Sequence, residues 1–172
     1  MFDENYYETL IRNLFSHNPK TSDGRIDYTN ADTAAVLTIF IKYQDKILLL
    51  RRSKKVLTYK GKWNTVAGYL DEMVPIEKKV YEEIQEELNI EKHDISSIRI
   101  GSHFEFIDSL IQKKWIVFPV LVSLHRKPKI TLDWEHTEYQ WIDPGNIDSF
   151  DTVPNIATSF QYSENGTILS LK

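Results

Sequence analysis

The sequence predicts an α/β protein, and three observations carry this prediction. An amphipathic helix near residues 76–88 is preceded and followed by apolar segments that are typical of strands. A helical stripe lies before these segments, and a short helix near residues 154–162 follows them. With 172 residues and a hydrophobic content of 41%, the chain is long enough to bury one core of ordinary size.

The composition narrows the class of function. The net charge of −4 argues against a general nucleic-acid binder, because such proteins usually present a basic surface. The absence of cysteine excludes disulfides, thiolate catalysis and cysteine-ligated zinc. Apolar runs stay shorter than the roughly 18–20 residues that cross a bilayer, and the acidic start lacks the basic flank of a secretory signal. We therefore expect a cytoplasmic protein without a membrane partner.

The first 33 residues predict an N-terminal helix followed by a connecting loop. Asp3 is the expected helix cap and Asn18-Pro19 the expected stop. The apolar residues at helical spacing are Phe2, Tyr6, Tyr7, Leu10, Ile11, Leu14 and Phe15. We expect this helix to pack either against the main domain or against a second subunit, and the second arrangement would make a homodimer.

Two strands are predicted next, at residues 35–43 and 46–52. The first is apolar on most residues, so we expect it to be buried on both faces. The second ends in four cations within five residues, beginning with Arg51 and Arg52. This run is either a solvated strand end or a phosphate-binding site, because guanidinium groups bind phosphate oxygens bidentately.

A loop at residues 56–64 leads to a short strand at residues 65–67. Two side chains of this loop are candidates for contact with a substrate. Lys62 is a candidate for binding a phosphate. Trp63 either anchors the loop in the core, which is the commoner position of a single Trp, or stacks on a base.

The central helix has an apolar and an acidic face. Pro75 suits its first turn, and the apolar stripe consists of Ile76, Val80, Ile84 and Leu88. Glu83, Glu86 and Glu87 lie at i, i+3 and i+4, where like charges repel by roughly 0.2–0.5 kcal/mol per pair. A solvated acidic surface explains this triplet by itself. A bound divalent cation would explain why the repulsion is accepted, because Mg²⁺ prefers oxygen ligands.

The order of apolar strand, glycine, short loop and acidic helix resembles the signature of the Nudix hydrolases. That signature is G-x5-E-x7-R-E-U-x-E-E-x-G-U, in which U is a bulky aliphatic residue. Aligned without gaps, Gly68 matches the first glycine. The core of the motif is matched by Glu83, Ile84, Glu86, Glu87 and Ile90.

Three positions depart from the signature. Val74 stands at the first glutamate, Glu82 at the arginine and Asn89 at the second glycine. The last change is mild, because Asn tolerates the left-handed conformation that often follows a helix. In the family, the glutamate and the arginine help to hold the geometry of loop and helix. Losing both together avoids a single buried charge without a partner.

Two further strands are predicted after the helix, at residues 95–107 and 115–124. Pro119 lies within the second, so we expect that strand at an edge of the sheet or bulged there. Beyond the closing helix, residues 163–172 are expected to be less ordered or to add a strand.

The resemblance also covers the segment that ends in Trp141-Ile142-Asp143-Pro144. Nudix proteins commonly have an acidic loop here, followed by a strand that ends in W-[IV]-x-P. A glutamate of that loop often supplies another metal ligand or the base that activates water. Glu135 is the expected residue, with Glu138 as the alternative, while His136 is expected to be a structural hydrogen-bonding residue.

For the fold, the resemblance implies an α/β/α sandwich with a mixed sheet and an added N-terminal helix. It spans about residues 34–160. The expected organisation is therefore an N-terminal helix and loop at 1–33, a Nudix domain at 34–162 and a tail at 163–172.

For the chemistry, the resemblance implies hydrolysis of the diphosphate bond in a nucleoside diphosphate linked to another moiety, with Mg²⁺ or Mn²⁺ as cofactor. The expected metal ligands are Gly68, through its carbonyl, with Glu83, Glu86 and Glu87. The expected catalytic residues are Glu83, Glu86 and Glu135. The expected substrate-binding residues are Arg51, Arg52, Lys62 and Trp63.

Two other functions fit parts of the sequence. A Nudix-fold module that binds a nucleotide and turns it over poorly would account for Val74 and Glu82. Isopentenyl diphosphate isomerase shares the fold, but it uses a cysteine in its chemistry, and this chain has none. The substrate beyond its diphosphate is left open.

Overall fold

The computed structural model describes residues 1–169 and shows a mixed nine-stranded sheet with helices on both faces. In chain order the elements are α1 (Glu4–His17), β1 (Thr33–Tyr43), β2 (Lys46–Arg52), β3 (Trp63–Asn64), β4 (Val66–Tyr69), α2 (Ile76–Leu88), β5 (Ile95–Ile100), β6 (Phe104–Asp108), β7 (Lys113–Leu124), β8 (His136–Ile142), α3 (Ile156–Glu164) and β9 (Thr167–Ile168). Short 3₁₀ helices precede β5 and follow β8.

The centre of the sheet is the parallel pair of β1 and β7, which stay in register from Thr33 opposite Lys114 to Lys42 opposite Ser123. On its other edge β1 pairs with β4, and near its end with β2. β2 continues the sheet through β3 and β8. The apolar run of β1 is buried, as predicted, because clusters that helices cover lie on both faces of the strand.

Alternation along β1 sends its side chains into two different cores. Leu37 and Ile39 belong to the cluster that α1 and α2 cover, together with Ile84 of α2. Phe40 belongs to the cluster that α3 covers, and its ring meets that of Phe160 with centroids 5.1 Å apart. The sheet is therefore a middle layer between helices, and the predicted α/β/α sandwich with an added N-terminal helix is confirmed.

Pro119 lies in a central strand, so the expectation of an edge strand is wrong. β7 pairs with β1 on one side, while on the other its partner changes from β6, opposite Val117, to β5, opposite Val120. Pro119 falls in this gap, where its carbonyl accepts the Gly101 N–H. The missing N–H of proline thus removes no ladder bond. The same gap divides the strand predicted at 95–107 into β5 and β6.

The N-terminal helix packs on its own domain. Tyr7 and Ile11 are buried in the main core, and the Tyr7 ring meets Phe118 edge-on at 5.5 Å. The Tyr7 hydroxyl donates to the Val74 carbonyl at 2.8 Å, just before α2 begins. A second subunit on this helix stays a prediction.

At the other end of the chain, α3 reaches Glu164 and β9 adds a short strand to β5. The predicted tail thus contains a strand, and its residues 170–172 lie outside the described part. In the described residues, none of the helices combines the length and the apolar character that a membrane span requires.

We predict that Tyr7→Phe lowers the free energy of unfolding by about 1 kcal/mol, the usual cost of one lost hydrogen bond. The ring packing is kept, so the effect isolates the bond to the loop before α2. Urea denaturation measures it. Tyr6→Phe is the matched control, because the Tyr6 ring stacks on His103 at 4.0 Å and this contact does not need the hydroxyl. Equal losses in both variants would contradict the prediction.

Candidate active site

The path from β4 into α2 forms the floor of the candidate site. β4 is short and places Gly68 opposite Leu37 of β1. The chain then turns through residues 70–75 into α2, which ends with Asn89 in the left-handed conformation at φ 55°. Asn89 thus takes the backbone role that the signature assigns to glycine.

Glycine is required at position 68 by a close approach. A Cβ atom there would overlap the carboxylate of Glu83. The apolar stripe of α2 is buried in the main core, with Val80 and Ile84 at 0% and 1% exposure. Because the stripe fixes α2 in the core, Glu83 lies close to the backbone of β4 at Gly68.

Glu87 lies one helical turn further along, and it is 4% exposed. Its Oε1 accepts the Ala67 N–H at 3.2 Å, while Oε2 has no hydrogen-bond partner among the described residues. The nearest cationic candidate is His136, whose Nδ1 lies 3.8 Å from that oxygen. His136 instead lies 3.1 Å from Asp133, which agrees with a structural role.

Burial makes these carboxylates hard to ionise. It raises the pKa of Glu83 to about 7, although the charge of Lys79 opposes the shift. It raises the pKa of Glu87 well above its usual range, and the neighbouring Glu83 charge adds to this. The pKa of Glu135 is also raised, first by burial and then by Asp133. A cation bound next to these three carboxylates would lower their pKa values and favour their ionised forms.

A cavity of about 300 Å³ opens beside Glu83. Both charged and aromatic side chains line it, and they include Arg52, Tyr59, Tyr69, Glu83, Trp115 and Glu135. The rings of Tyr69 and Trp115 stack with centroids 6.2 Å apart. The cavity therefore offers polar groups for phosphates and a flat surface for a ring.

Four residues named from the sequence meet at this cavity, namely Gly68, Glu83, Arg52 and Glu135. Arg52 is fixed by two hydrogen bonds, from Nε and Nη2 to the Thr58 carbonyl at 3.1 and 3.0 Å. The loop before β8 is held in place by the Glu135 backbone carbonyl, which accepts a hydrogen bond from the Ser53 N–H at 2.6 Å. Glu87 is buried behind the cavity wall, against Ala67.

The other named residues lie elsewhere. The Glu86 side chain is exposed. Arg51 points to the opposite face of β2 from Arg52, where it pairs with Glu138 at 3.1 Å. Lys62 pairs with Asp151, away from the cavity lining.

Trp63 is packed in the core that α3 covers, where its ring meets Phe150 edge-on at 5.3 Å. The structure thus gives it the anchoring position rather than the base-stacking one. The aromatic surface of the cavity comes from Tyr69 and Trp115, which the sequence analysis did not name. Tyr69 directly follows Gly68, and this adjacency was the available signal.

The carboxylates of the site are suited to a divalent cation, although they do not converge on one point. Among residues 1–169, no three His, Asp or Glu side chains lie close enough together to hold a metal ion. Glu87 nevertheless keeps one buried oxygen without a partner, and Glu83 lies on the cavity wall. Buried carboxylate oxygens without a counter-charge are suitable ligands for Mg²⁺ or Mn²⁺.

Comparison with known proteins identifies the family. The NUDIX domain family matches residues 31–161, which is most of the chain. The chain belongs to the Nudix family. The Nudix resemblance and the prediction of a Nudix-type hydrolase are thereby confirmed at the level of the family. No curated protein matches the chain.

Solved structures share the Nudix fold at low sequence identity. A MutT protein from Methanosarcina mazei Go1 is 24% identical, with a TM-score of 0.63, and the match covers 79% of this chain and 96% of that one. A C. elegans Ap4A hydrolase is 16% identical, with a TM-score of 0.61 and coverages of 77% and 96%. The NUDIX domain of Shewanella oneidensis NrtR, complexed with ADP ribose, is 12% identical, with a TM-score of 0.64 and coverages of 77% and 87%.

We predict that Gly68→Ala lowers the free energy of unfolding by about 1–3 kcal/mol, as overpacking usually does. The added methyl group must displace Glu83 from β4. Chemical denaturation of the metal-free protein measures the loss. The control is Gly145→Ala, where a Cβ atom meets nothing within 4 Å, and its effect should stay within about 0.5 kcal/mol. A Gly68→Ala variant as stable as this control would contradict the contact with Glu83.

We also predict that the metal-free protein loses stability as the pH rises from about 4.5 to above 7. Unfolded Glu83 releases its proton near pH 4.5, whereas folded Glu83 holds it to about pH 7. The folded state binds more protons between these values, so rising pH favours unfolding, by about 3 kcal/mol for this group. Denaturation at several pH values in EDTA measures the slope. Glu83→Gln should flatten it, and an unchanged slope in that variant would refute the assignment.

Proposed function

We propose that this Nudix protein is a divalent-metal-dependent hydrolase that cleaves the diphosphate bond of a nucleoside diphosphate linked to another moiety. The observation that carries the proposal is the burial of Glu87 behind the cavity wall, with one of its oxygens lacking a hydrogen-bond partner in the described residues. Glu83 lies on that wall with 13% of its side chain exposed. Carboxylates buried in this way are stabilised by a cation. Membership of the Nudix family supports the reaction class.

In the proposed site, Glu83, Glu87 and the Gly68 carbonyl would hold Mg²⁺ or Mn²⁺. Glu86, which is exposed on the same helix, is proposed as a further ligand. The metal, when bound, supplies Lewis-acid stabilisation of the phosphates and lowers the pKa of a bound water. Glu135 lies on the cavity wall and takes the proton from the attacking water. Its raised pKa, due mainly to burial, makes it a better base than an exposed glutamate.

Arg52 is proposed to orient the phosphate chain. Its Nε and Nη2 donate to the Thr58 carbonyl, so Nη1 is the group that would donate to a ligand. A guanidinium held in this way loses little further entropy when it binds a phosphate oxygen. Arg51 and Lys62 would reach a substrate only by giving up their ion pairs with Glu138 and Asp151.

The stacked rings of Tyr69 and Trp115 are proposed to bind a planar part of the substrate, such as a base. Two of the structural neighbours are an Ap4A hydrolase and a domain complexed with ADP ribose. They make dinucleoside polyphosphates and ADP-ribose the first compounds to test.

A binding module without efficient turnover is the second candidate function. It is favoured by the absence of three converging ligands among the described residues and by the loss of the signature pair at Val74 and Glu82. Such a protein would bind the same nucleotides in the same cavity. The two functions differ only in whether a product appears.

We predict metal-dependent release of a mononucleotide from a panel of ADP-ribose, NADH, dinucleoside polyphosphates and oxidised dNTPs, assayed with Mg²⁺ or Mn²⁺. Glu87→Gln should lower kcat by at least about a hundredfold, because it removes a buried metal ligand. Glu82→Gln is the matched control, since Glu82 pairs with Lys78 outside the cavity at 3.3 Å. Saturable binding of a panel member without any product would support the module instead.

A further inference from the structure

Lys79 lies on α2 and is almost completely buried, with 4% exposure. Lysine is seldom buried to this extent unless it is paired. Its Nζ lies 3.2 Å from Asp71 in the loop after β4 and 3.4 Å from Glu83 on α2. Burial by itself would lower the Lys79 pKa, but the two carboxylates raise it, so the ammonium stays charged. One positive charge thus joins the loop to the helix.

The loop is also held from its other side. The Ile26 N–H donates to the Asp71 carbonyl at 2.8 Å, and the Tyr28 hydroxyl donates to the Leu70 carbonyl at 2.9 Å. Arg25 lies 4.0 Å from the Asp71 carboxylate and 3.3 Å from that of Glu72. Asp71 is therefore fixed between the segment that follows α1 and the ammonium of Lys79.

The signature positions do not provide this link. Glu82 stands where the family has its arginine, and it pairs with Lys78 on the exposed side of α2. Val74 stands where the family has its first glutamate, and its carbonyl accepts the Tyr7 hydroxyl. In the described part of the chain, the ion pair from this loop to α2 is the one made by Lys79.

We propose that the ion pair of Lys79 with Asp71, supported by Arg25, replaces the glutamate–arginine pair of the Nudix signature and positions Glu83. Lys79 is then a positioning residue that acts through Glu83. Its effect on metal binding rests on the proposed function, whereas its effect on the loop does not.

The physical reason is the balance of buried charge. Without the ammonium, the carboxylates of Asp71 and Glu83 face each other with 16% and 13% of their side chains exposed. Removing one partner of a buried pair is far more disruptive than removing both. The loop at residues 69–75 should therefore separate from α2 when Lys79 loses its charge, and it should settle again when Asp71 loses its charge as well.

Amide hydrogen exchange of the full-length, metal-free protein tests this proposal. Lys79→Met keeps the length of the side chain, and we expect exchange at residues 69–75 to become about tenfold faster relative to β1 and β7. Lys79→Arg keeps the positive charge, so its loop should exchange more slowly than that of Lys79→Met, although a planar guanidinium serves two carboxylates less well than an ammonium. Lys78→Met is the matched control, because it removes an exposed ion pair from the same turn, and it should leave the loop unchanged.

The double variant Asp71→Asn with Lys79→Met separates coupling from simple loss of stability. We expect its loop to exchange more slowly than that of Lys79→Met, because the repulsion has been removed, and exchange at the same rate or faster would overturn the proposal. Equal exchange in Lys79→Met and Lys78→Met, or an increase spread evenly over β1 and β7, would overturn the proposal. If Lys79→Met does not fold, Asp71→Asn is compared with Lys78→Met instead: loss of the loop carboxylate that pairs with Lys79 should speed exchange at residues 69–75 relative to β1 and β7, and equal exchange in these two variants would overturn the proposal.

Titration with Mn²⁺ alone, followed by electron paramagnetic resonance, gives the link to the metal. In Asp71→Asn the ammonium is left to Glu83 alone, so we expect Mn²⁺ affinity to fall by about threefold or more. Unchanged affinity would overturn the positioning of Glu83. If the unaltered protein binds no Mn²⁺, the proposed function fails, while the exchange experiment still decides whether Lys79 holds the loop.

Discussion

The burial of two carboxylates against the backbone of β4 is the constraint on which the rest of the site depends. An ionised carboxylate loses several kcal/mol of hydration when it is buried. The apolar stripe of α2 supplies the opposing force, because each buried aliphatic side chain contributes about 1.5–3 kcal/mol. Glu83 and Glu87 sit beside that stripe and are carried inward with it. Under the proposed function, a bound cation would supply the positive charge that these carboxylates lack.

The sheet decides which other side chains reach these carboxylates. Gly68 comes from β4, Arg52 from the end of β2 and Glu135 from the residue just before β8. The ladder of β2 and β8 slips between Arg51 and Arg52, so that Arg52 lies opposite His136. Neighbouring residues of a strand face opposite sides. Of the two arginines, only one could therefore line the cavity.

Periodicity predicted the helix and its buried stripe, because these depend on local spacing. The family resemblance, and not the spacing, grouped Gly68 with Glu83 as expected metal ligands. The same spacing did not distinguish Glu86 from Glu87. With about 100° per residue, Glu87 lies roughly 40° from Glu83 and Glu86 roughly 60° on its other side. The packing of the apolar stripe of α2 decides which of the two glutamates is buried, and this packing cannot be predicted from the spacing of residues. The position of Pro119 was wrongly predicted for a similar reason. The proline lies opposite the gap between β6 and β5, two separate strands that both pair with β7.

Lysine and arginine would pair with the carboxylates of this site in different ways. Guanidinium is planar and favours two parallel bonds to one carboxylate, whereas ammonium is a point charge that can serve two. Lys79 uses this property to reach both Asp71 and Glu83. The geometry then needs Asp71 to be held from outside the helix, and the segment before β1 provides this through Arg25 and Ile26. The N-terminal segment is therefore part of the support of the site, although the family signature lies wholly beyond it.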